Sequence, residues 1–373
     1  MNQNGTNHYD VAAFVWPAYS DAPEMRWAFP ERMGEWERAR QARPKFEGHR
    51  AVHEPLWGYL NEADPYVMEM QIGAAADHSV NVFIYDWYWY DRRPFLEGCL
   101  NEGYLKARNN DRVKFFLMWA NHDVKYAWDI RNADDHATVL YKGWTDRTDF
   151  ETICHRVIDR YLLHPSYYTI DGEPVFCIYD LANLISGLGG IEETGKALRW
   201  FRKEVERAGA SGLNLQCTLR GGNQNYSGVD GDMVVNQFEA LKQLEFDSVT
   251  HYQWCHFLPV KNDFPALVEM ALDKYREIET ITDIPYYPHL SVGWDSNARF
   301  KELHPAIISG NTPDNIEAGL RLLKQFVDER PHMHPLVTVN AWNEWTETSY
   351  LQPDREYGYG YLQAVRRVFG GEE

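Results

Sequence analysis

The stretch Pro335–Pro353, PLVTVNAWNEWTETSYLQP, decides the fold. Its first half, Leu336 to Val339, is short, apolar and β-branched, the pattern of a strand buried on both faces. The composition then changes abruptly. Asn340, Trp342, Asn343, Glu344, Trp345 and Glu347 set two carboxylates three positions apart among two indoles and two amides, too much polar chemistry for a strand interior. A buried strand ending in such a cluster is what an α/β barrel delivers to its catalytic face. Two nearby carboxyls framed by flat rings suggest sugar chemistry, because glycoside cleavage commonly needs one acid and one base or nucleophile. The plainer reading is an exposed turn whose indoles pack on the rim. The position after a strand, rather than on a helix face, favours the chemical one.

Outward from this stretch, strand-like runs alternate with helical ones. Strands are predicted at Val11–Trp16, Ser79–Tyr85, Val113–Trp119, Pro174–Tyr179, Gly212–Leu219, Asp247–Tyr252, Tyr286–Val292 and Leu336–Val339. Helix starts stand between them: Asp64-Pro65 as N-cap and first helical residue, a Thr148/Glu151 capping box, and Thr312-Pro313. Behind the last start, Ile316, Leu320, Leu323 and Val327 form one apolar face. Eight strands alternating with helices, with no Pro, Gly or Ser linker and no repeat, predict one (β/α)8 barrel domain over residues 1–373. The first strand-to-helix connection, from about Pro17 to Asn61, far exceeds the usual ~2–6 residues. It holds Trp27, Phe29, Trp36, Phe46, Trp57 and Tyr59, too aromatic for disorder, and is expected to wall or cover the barrel mouth.

If the barrel is right, residues after each strand face one cavity. Trp16 and Tyr19 follow the first strand, and Asp86, Trp87 and Tyr88 open the run Asp86–Asp91 after the second. Trp119 and Asn121 end the third and Tyr179 the fourth. Arg220-Gly221-Gly222-Asn223 follows the fifth, Tyr252 ends the sixth, and Trp294 and Asp295 follow the seventh. Trp342, Asn343 and Trp345 surround the carboxylate pair. Such a set offers stacking faces and hydrogen bonds to hydroxyls, while the carboxylates handle protons.

Composition narrows the partners. A formal net charge of -18 argues against nucleic acid, which is held by basic patches. With 14 Trp and 23 Tyr among 373 residues, rings with a polar handle abound, which suits pyranose recognition at a wet surface. Five cysteines, Cys99, Cys154, Cys177, Cys217 and Cys255, are odd in number and lack C-x-x-C, so thiols in a reducing compartment are expected. No signal peptide is visible at the N-terminus and no apolar run approaches the roughly 18 residues that span a membrane; a cytoplasmic protein without membrane insertion is expected. His49 and His53 are four apart but bracketed by Pro44, Gly48 and Pro55, and H-E-x-x-H, P-loop, G-x-S-x-G and G-x-G-x-x-G patterns are missing. Acid/base chemistry without metal or cofactor is the expectation.

The run Trp342-Asn343-Glu344-Trp345-Thr346-Glu347 resembles the W-N-E-W-x-E signature of glycoside hydrolase family 99 and its relatives, including a group described as polysaccharide-locus (WbsX-like) glycosyltransferases. Ala42–His49 resembles the A-x-P-x-F-x-G-H segment of those relatives. Trp119-Ala120-Asn121, Asp171–Phe176, Gly293–Ser296 with Arg299, and Tyr357-Gly358-Tyr359 are similar to their further landmarks, in order over roughly 42–360. The resemblance implies a (β/α)8 barrel acting on carbohydrate without a cofactor. It implies a retaining reaction through a 1,2-anhydro sugar, with Glu344 as base toward the sugar 2-hydroxyl, Glu347 as acid toward the leaving oxygen, and His49 among the binding residues. Thr346, Thr348 and Gln352 stand where hydrolase members carry His, Gly and Glu, so mannose specificity does not carry over. The expected function is a retaining glycoside hydrolase acting on a poly- or oligosaccharide. A glycosyltransferase of surface-polysaccharide assembly and a non-catalytic carbohydrate-binding barrel are the alternatives.

Overall fold

A β-branched or aromatic run with few charges leaves its backbone N–H and C=O groups nowhere to turn but to a neighbouring run. The computed structural model, which describes residues 9–50, 53–221, 225–227 and 234–371, pairs eight of them. They are β1 (Asp10–Val15), β2 (Val82–Tyr90), β3 (Lys114–Trp119), β4 (Glu173–Ile178), β5 (Asn214–Leu219), β6 (Ser248–His251), β7 (His289–Ser291) and β8 (Leu336–Asn340). All are parallel, in the order β6-β5-β4-β3-β2-β1-β8-β7. Ala12 of β1 faces Val82 on one side, and Asp10 faces Leu336 on the other. The ring closes where Val249 of β6 bridges Tyr286 ahead of β7, giving N–H to Pro285 and accepting from Tyr287, both at 2.9 Å. The fold is the (β/α)8 barrel that the pattern predicts.

Helices pack outside: α1 (Trp36–Gln41) and α2 (Pro65–Asp77) after β1, α3 (Arg147–Val157) after β3, α4 (Leu181–Leu188) and α5 (Ile191–Arg207) after β4, α6 (Gln237–Gln243) after β5, α7 (Phe264–Ile281) after β6, α8 (Pro313–Asp328) after β7 and α9 (Gly360–Phe369) after β8. Two of the predicted caps are in place. Asp64 accepts from the Tyr66 N–H at 2.9 Å and Thr312 from Asn315 at 3.4 Å, and the apolar face of α8 is buried as expected. The third is corrected: α3 starts at Asp146, which accepts from the Asp149 N–H at 2.8 Å. A carboxylate caps and also complements the helix dipole, so it takes the position from Thr148.

A second correction is larger. Residues 86–90, expected as a loop, continue β2, because Arg93–Phe95 folds back antiparallel and pairs Tyr88 with Phe95 and Tyr90 with Arg93. Side chains there alternate between two faces. Beneath the strand ends the interior is polar: the hydroxyls of Thr250 and Thr338 lie 2.8 Å apart and His289 Nδ1 lies 3.0 Å from Thr338 Oγ1. Burial holds the His289 imidazole well below its ordinary pKa, so it is neutral. Cys99, Cys154, Cys177 and Cys217 are buried, Cys255 is half-buried, and all five are free. Among the described residues no helix is long and apolar enough to cross a membrane.

Candidate active site

The connection after β8 builds the centre of the site. Asn343–Glu344 pairs antiparallel with Ser349–Tyr350, and Trp345–Glu347 forms a 3-10 turn between them. In a 3-10 turn side chains three apart eclipse, so Glu344 and Glu347 emerge together on one side. Arg299, after β7, meets both: Nη2 donates to Glu344 Oε2 at 2.9 Å and Nη1 to Glu347 Oε1. Its Nε also donates to Thr346 Oγ1 at 2.8 Å and to Glu35 Oε1 at 3.1 Å. Glu35, just before α1, further accepts from Arg38 at 2.9 Å, from Thr346 at 2.9 Å and from the Trp16 indole. Three carboxylates therefore share two guanidinium groups at one end of a cavity of about 200 Å³.

Much of the rest of the lining is aromatic, with Trp16, Tyr88, His122, Trp128, Tyr179 and Tyr252. Trp16 meets Tyr88 and Trp128 edge to face at 5.7 and 5.9 Å. Asp86, Met118 and Ala120 also line it, as do Met25 and Phe29 of the first connection. The Tyr252 hydroxyl donates to Asp86 Oδ2 at 2.8 Å and lies 3.3 Å from Glu344 Oε1. Asp86 Oδ1 and Glu347 Oε2 are buried and take no hydrogen bond from the described residues.

Burial dominates the electrostatics. It raises Glu344 well above the ordinary carboxylate range, with the charge of Glu347 adding to it, and raises Glu347 against the pull of Arg299. Asp86 is likewise pushed well up by burial. Burial works against Glu35 too, yet Arg299 and Arg38 hold it below its ordinary value. Burial lowers His122 to about 4, so a neutral imidazole faces the cavity. Burial thus favours the protonated form of Glu344, Glu347 and Asp86, while the two guanidinium groups favour the charged form of Glu35.

Of the residues expected here, Glu344, Glu347, Trp16, Asp86, Tyr88, Tyr179 and Tyr252 line the cavity. The rest stand behind it or beside it. Trp87 points to the other face of β2, its indole donating to Glu97 at 2.8 Å. Trp119 is buried against Phe150. Asn121 clamps the Asp180 backbone at 2.7 and 2.8 Å, and Arg220 donates to Asp180 at 3.0 Å with its guanidinium 4.3 Å from the Tyr179 ring. Gly222 and Asn223 lie outside the described residues. His49 accepts from the Lys45 N–H at Nδ1 and bonds Asp295 through Nε2 at 2.7 Å; Trp294 is half-buried beside them. Tyr19 packs on Trp36 at 4.1 Å and its hydroxyl accepts from the Trp345 N–H at 3.1 Å. Trp342, Asn343 and Trp345 face away from the cavity, to Gln71, Glu62 and Gln352. Sequence reasoning expected the first connection to cover the mouth but did not single out Glu35 or Arg38 within it, and it passed over Trp128. Their one signal was the length and aromatic content of the connections that carry them.

Barrel and carboxylate turn together make this a glycoside hydrolase-like barrel protein. The chain belongs to the family described as glycosyltransferase WbsX, whose model matches residues 11–365. Among curated proteins it is 25% identical over 359 residues to the uncharacterized protein WxcX of Xanthomonas campestris pv. campestris, covering 96% of this chain and 49% of that one. The chain thus spans about half the length of the curated relatives it matches. Among solved structures it is similar in fold to a glycoside hydrolase-like protein, with TM-score 0.61, 14% identity and coverage of 100% and 97%. It is also similar to the GH99 endo-alpha-mannosidase of Bacteroides thetaiotaomicron, with TM-score 0.56, 13% identity and coverage of 96% and 95%.

Proposed function

We propose that this barrel is the catalytic unit of a retaining glycoside hydrolase acting on a poly- or oligosaccharide. One observation carries the reading: Glu344 and Glu347 sit on one guanidinium and face an aromatic-walled cavity. Glu344 Oε2 accepts from the Arg299 guanidinium at 2.9 Å, as suits a group that works as a carboxylate. Glu347 Oε2 takes no hydrogen bond from the described residues, as suits an acid whose proton is offered to a leaving oxygen. Because the charge of Glu347 helps raise Glu344, protonating one favours ionising the other.

In the first step Glu344 takes the proton of the sugar 2-hydroxyl, and that oxygen attacks the anomeric carbon. The bond to the leaving oxygen breaks as Glu347 protonates it, giving a 1,2-anhydro sugar. In the second step Glu347 takes a proton from water, whose oxygen opens the ring at the anomeric carbon. Glu344 returns its proton to the 2-oxygen. Two inversions leave the configuration retained. A glycan panel with the first-formed anomer read by NMR tests this: retained product is expected, and inverted product or no cleavage across the panel defeats it. The family's description favours a second reading, glycosyl transfer. Nucleotide set free from nucleotide sugars in the presence of a glycan acceptor would support that reading instead.

A further inference from the structure

Behind the catalytic turn lies a buried carboxyl that the proposed chemistry does not use. Glu62, at the end of the first connection, is 1% exposed. Three side-chain amides point N–H groups at it: Asn343 at 2.7 Å to Oε2, and Gln352 at 2.9 Å and Gln71 at 3.0 Å to Oε1. Each amide oxygen is committed elsewhere, which fixes the orientation of all three. Gln71 accepts from the Trp342 indole at 2.9 Å, Gln352 from the Trp345 indole at 2.7 Å, and Asn343 from the Trp16 backbone N–H at 2.8 Å. Indoles and backbone N–H groups only donate, so no amide can turn its oxygen inward without orphaning one of them.

We propose that Glu62, as the carboxylate, is a positioning residue for the catalytic turn, indexing Trp342, Asn343 and Trp345 through these three amides and so holding Glu344 and Glu347 in place. A neutral Glu62 would carry an O–H with no acceptor among donors that all face it, and one amide would have to withdraw. Amide N–H groups, not a cation, offset its charge. The titratable side chains nearest it, Tyr19, Tyr85 and Cys99, are each raised by burial and stay uncharged. Burial outweighs the three hydrogen bonds and brings Glu62 to about 7. The turn is therefore tightened as the pH rises through neutrality.

The effect on turnover rests on the hydrolase reading, but its geometric half does not. Nitrogen-15 labelling of tryptophan gives indole N–H signals, with Trp342 and Trp345 assigned through W342F and W345F. Both signals are expected to shift between pH 6 and 8 with a midpoint near 7 in the wild type and to stay fixed in E62Q. On a cleaved glycoside, E62Q is expected to lose kcat by about tenfold or more with KM little changed, and to lose the rise of kcat over that pH range. The exchange E62Q/Q352E, which restores one carboxylate among the amides, should recover kcat. Flat wild-type indole signals from pH 6 to 8 overturn the proposal without any variant having to fold, and so does an E62Q enzyme with wild-type kcat and pH profile. Titrating signals with no glycoside cleaved would defeat the hydrolase reading and leave Glu62 as the positioner of the turn.

Discussion

Glu344 and Glu347 answer to one guanidinium but present different atoms to a guest, so their amides should fail differently. E347Q loses proton donation and should recover on substrates with good leaving groups, whereas E344Q should not; steady-state rates on a leaving-group series check this. Near wild-type turnover in both variants would defeat the assignment. R299Q removes the cation that three carboxylates share. Its side chain keeps 24% exposure toward the cavity, so the cost should lie near the lower end for a broken buried pair, about 3 kcal/mol, read as a shift in urea midpoint with kcat lost. The pair works with one proton between its members, and burial raises both. The pH profile of kcat/KM should be a bell displaced upward from the ordinary carboxylate range, falling on the alkaline side as the last proton leaves.

At the level of elements, the first connection and the β8 turn form the site, and each makes its own prediction. Phe29→Ala opens the wall that the connection lends the cavity and should raise KM more than it lowers kcat. Asp64→Ala removes the cap of α2 and should cost about 1 kcal/mol, seen in thermal melts, with KM unchanged. The eight strands were legible because a segment buried on both faces has few ways to be written. The run from Asp86 to Tyr90 was not. Its rings looked like loop chemistry, and only the fold-back of Arg93–Phe95 shows that Asp86 and Tyr88 face the cavity while Trp87 donates to Glu97 behind it. The carboxylate pair could be read from its place after a strand. The arginines could not, since Arg38 and Glu35 become partners of the site only when a long connection folds back over the mouth.

For the whole molecule, buried acids and buried imidazoles pull the pH dependence of stability in opposite directions. Glu62 goes from an ordinary value of 4.5 to about 7 on folding, and Asp86 and Glu344 move the same way. Glu62 is protonated in the fold and ionised in the open chain over that interval, so there the folded state binds the extra proton and this contribution to stability falls as the pH rises. Glu62 alone accounts for about 3 kcal/mol lost between roughly pH 4.5 and 7. The buried neutral imidazoles of His122 and His289 oppose this below about pH 6.5, where the open chain would protonate them, and Glu35 does so at lower pH, where its depressed value makes folding weaken as acid is added. The Glu62 contribution is read as a difference: from about pH 4.5 to 7 the urea midpoint of the wild type should fall relative to that of E62Q.

The Arg299 side chain is also a rivet. It fastens the connections that leave the first, seventh and eighth strands at a single point, through Glu35, Glu344 and Glu347. A hinge on that flank would have to tear three ion pairs at once, so any loop motion that admits a guest has to leave these three connections fastened together.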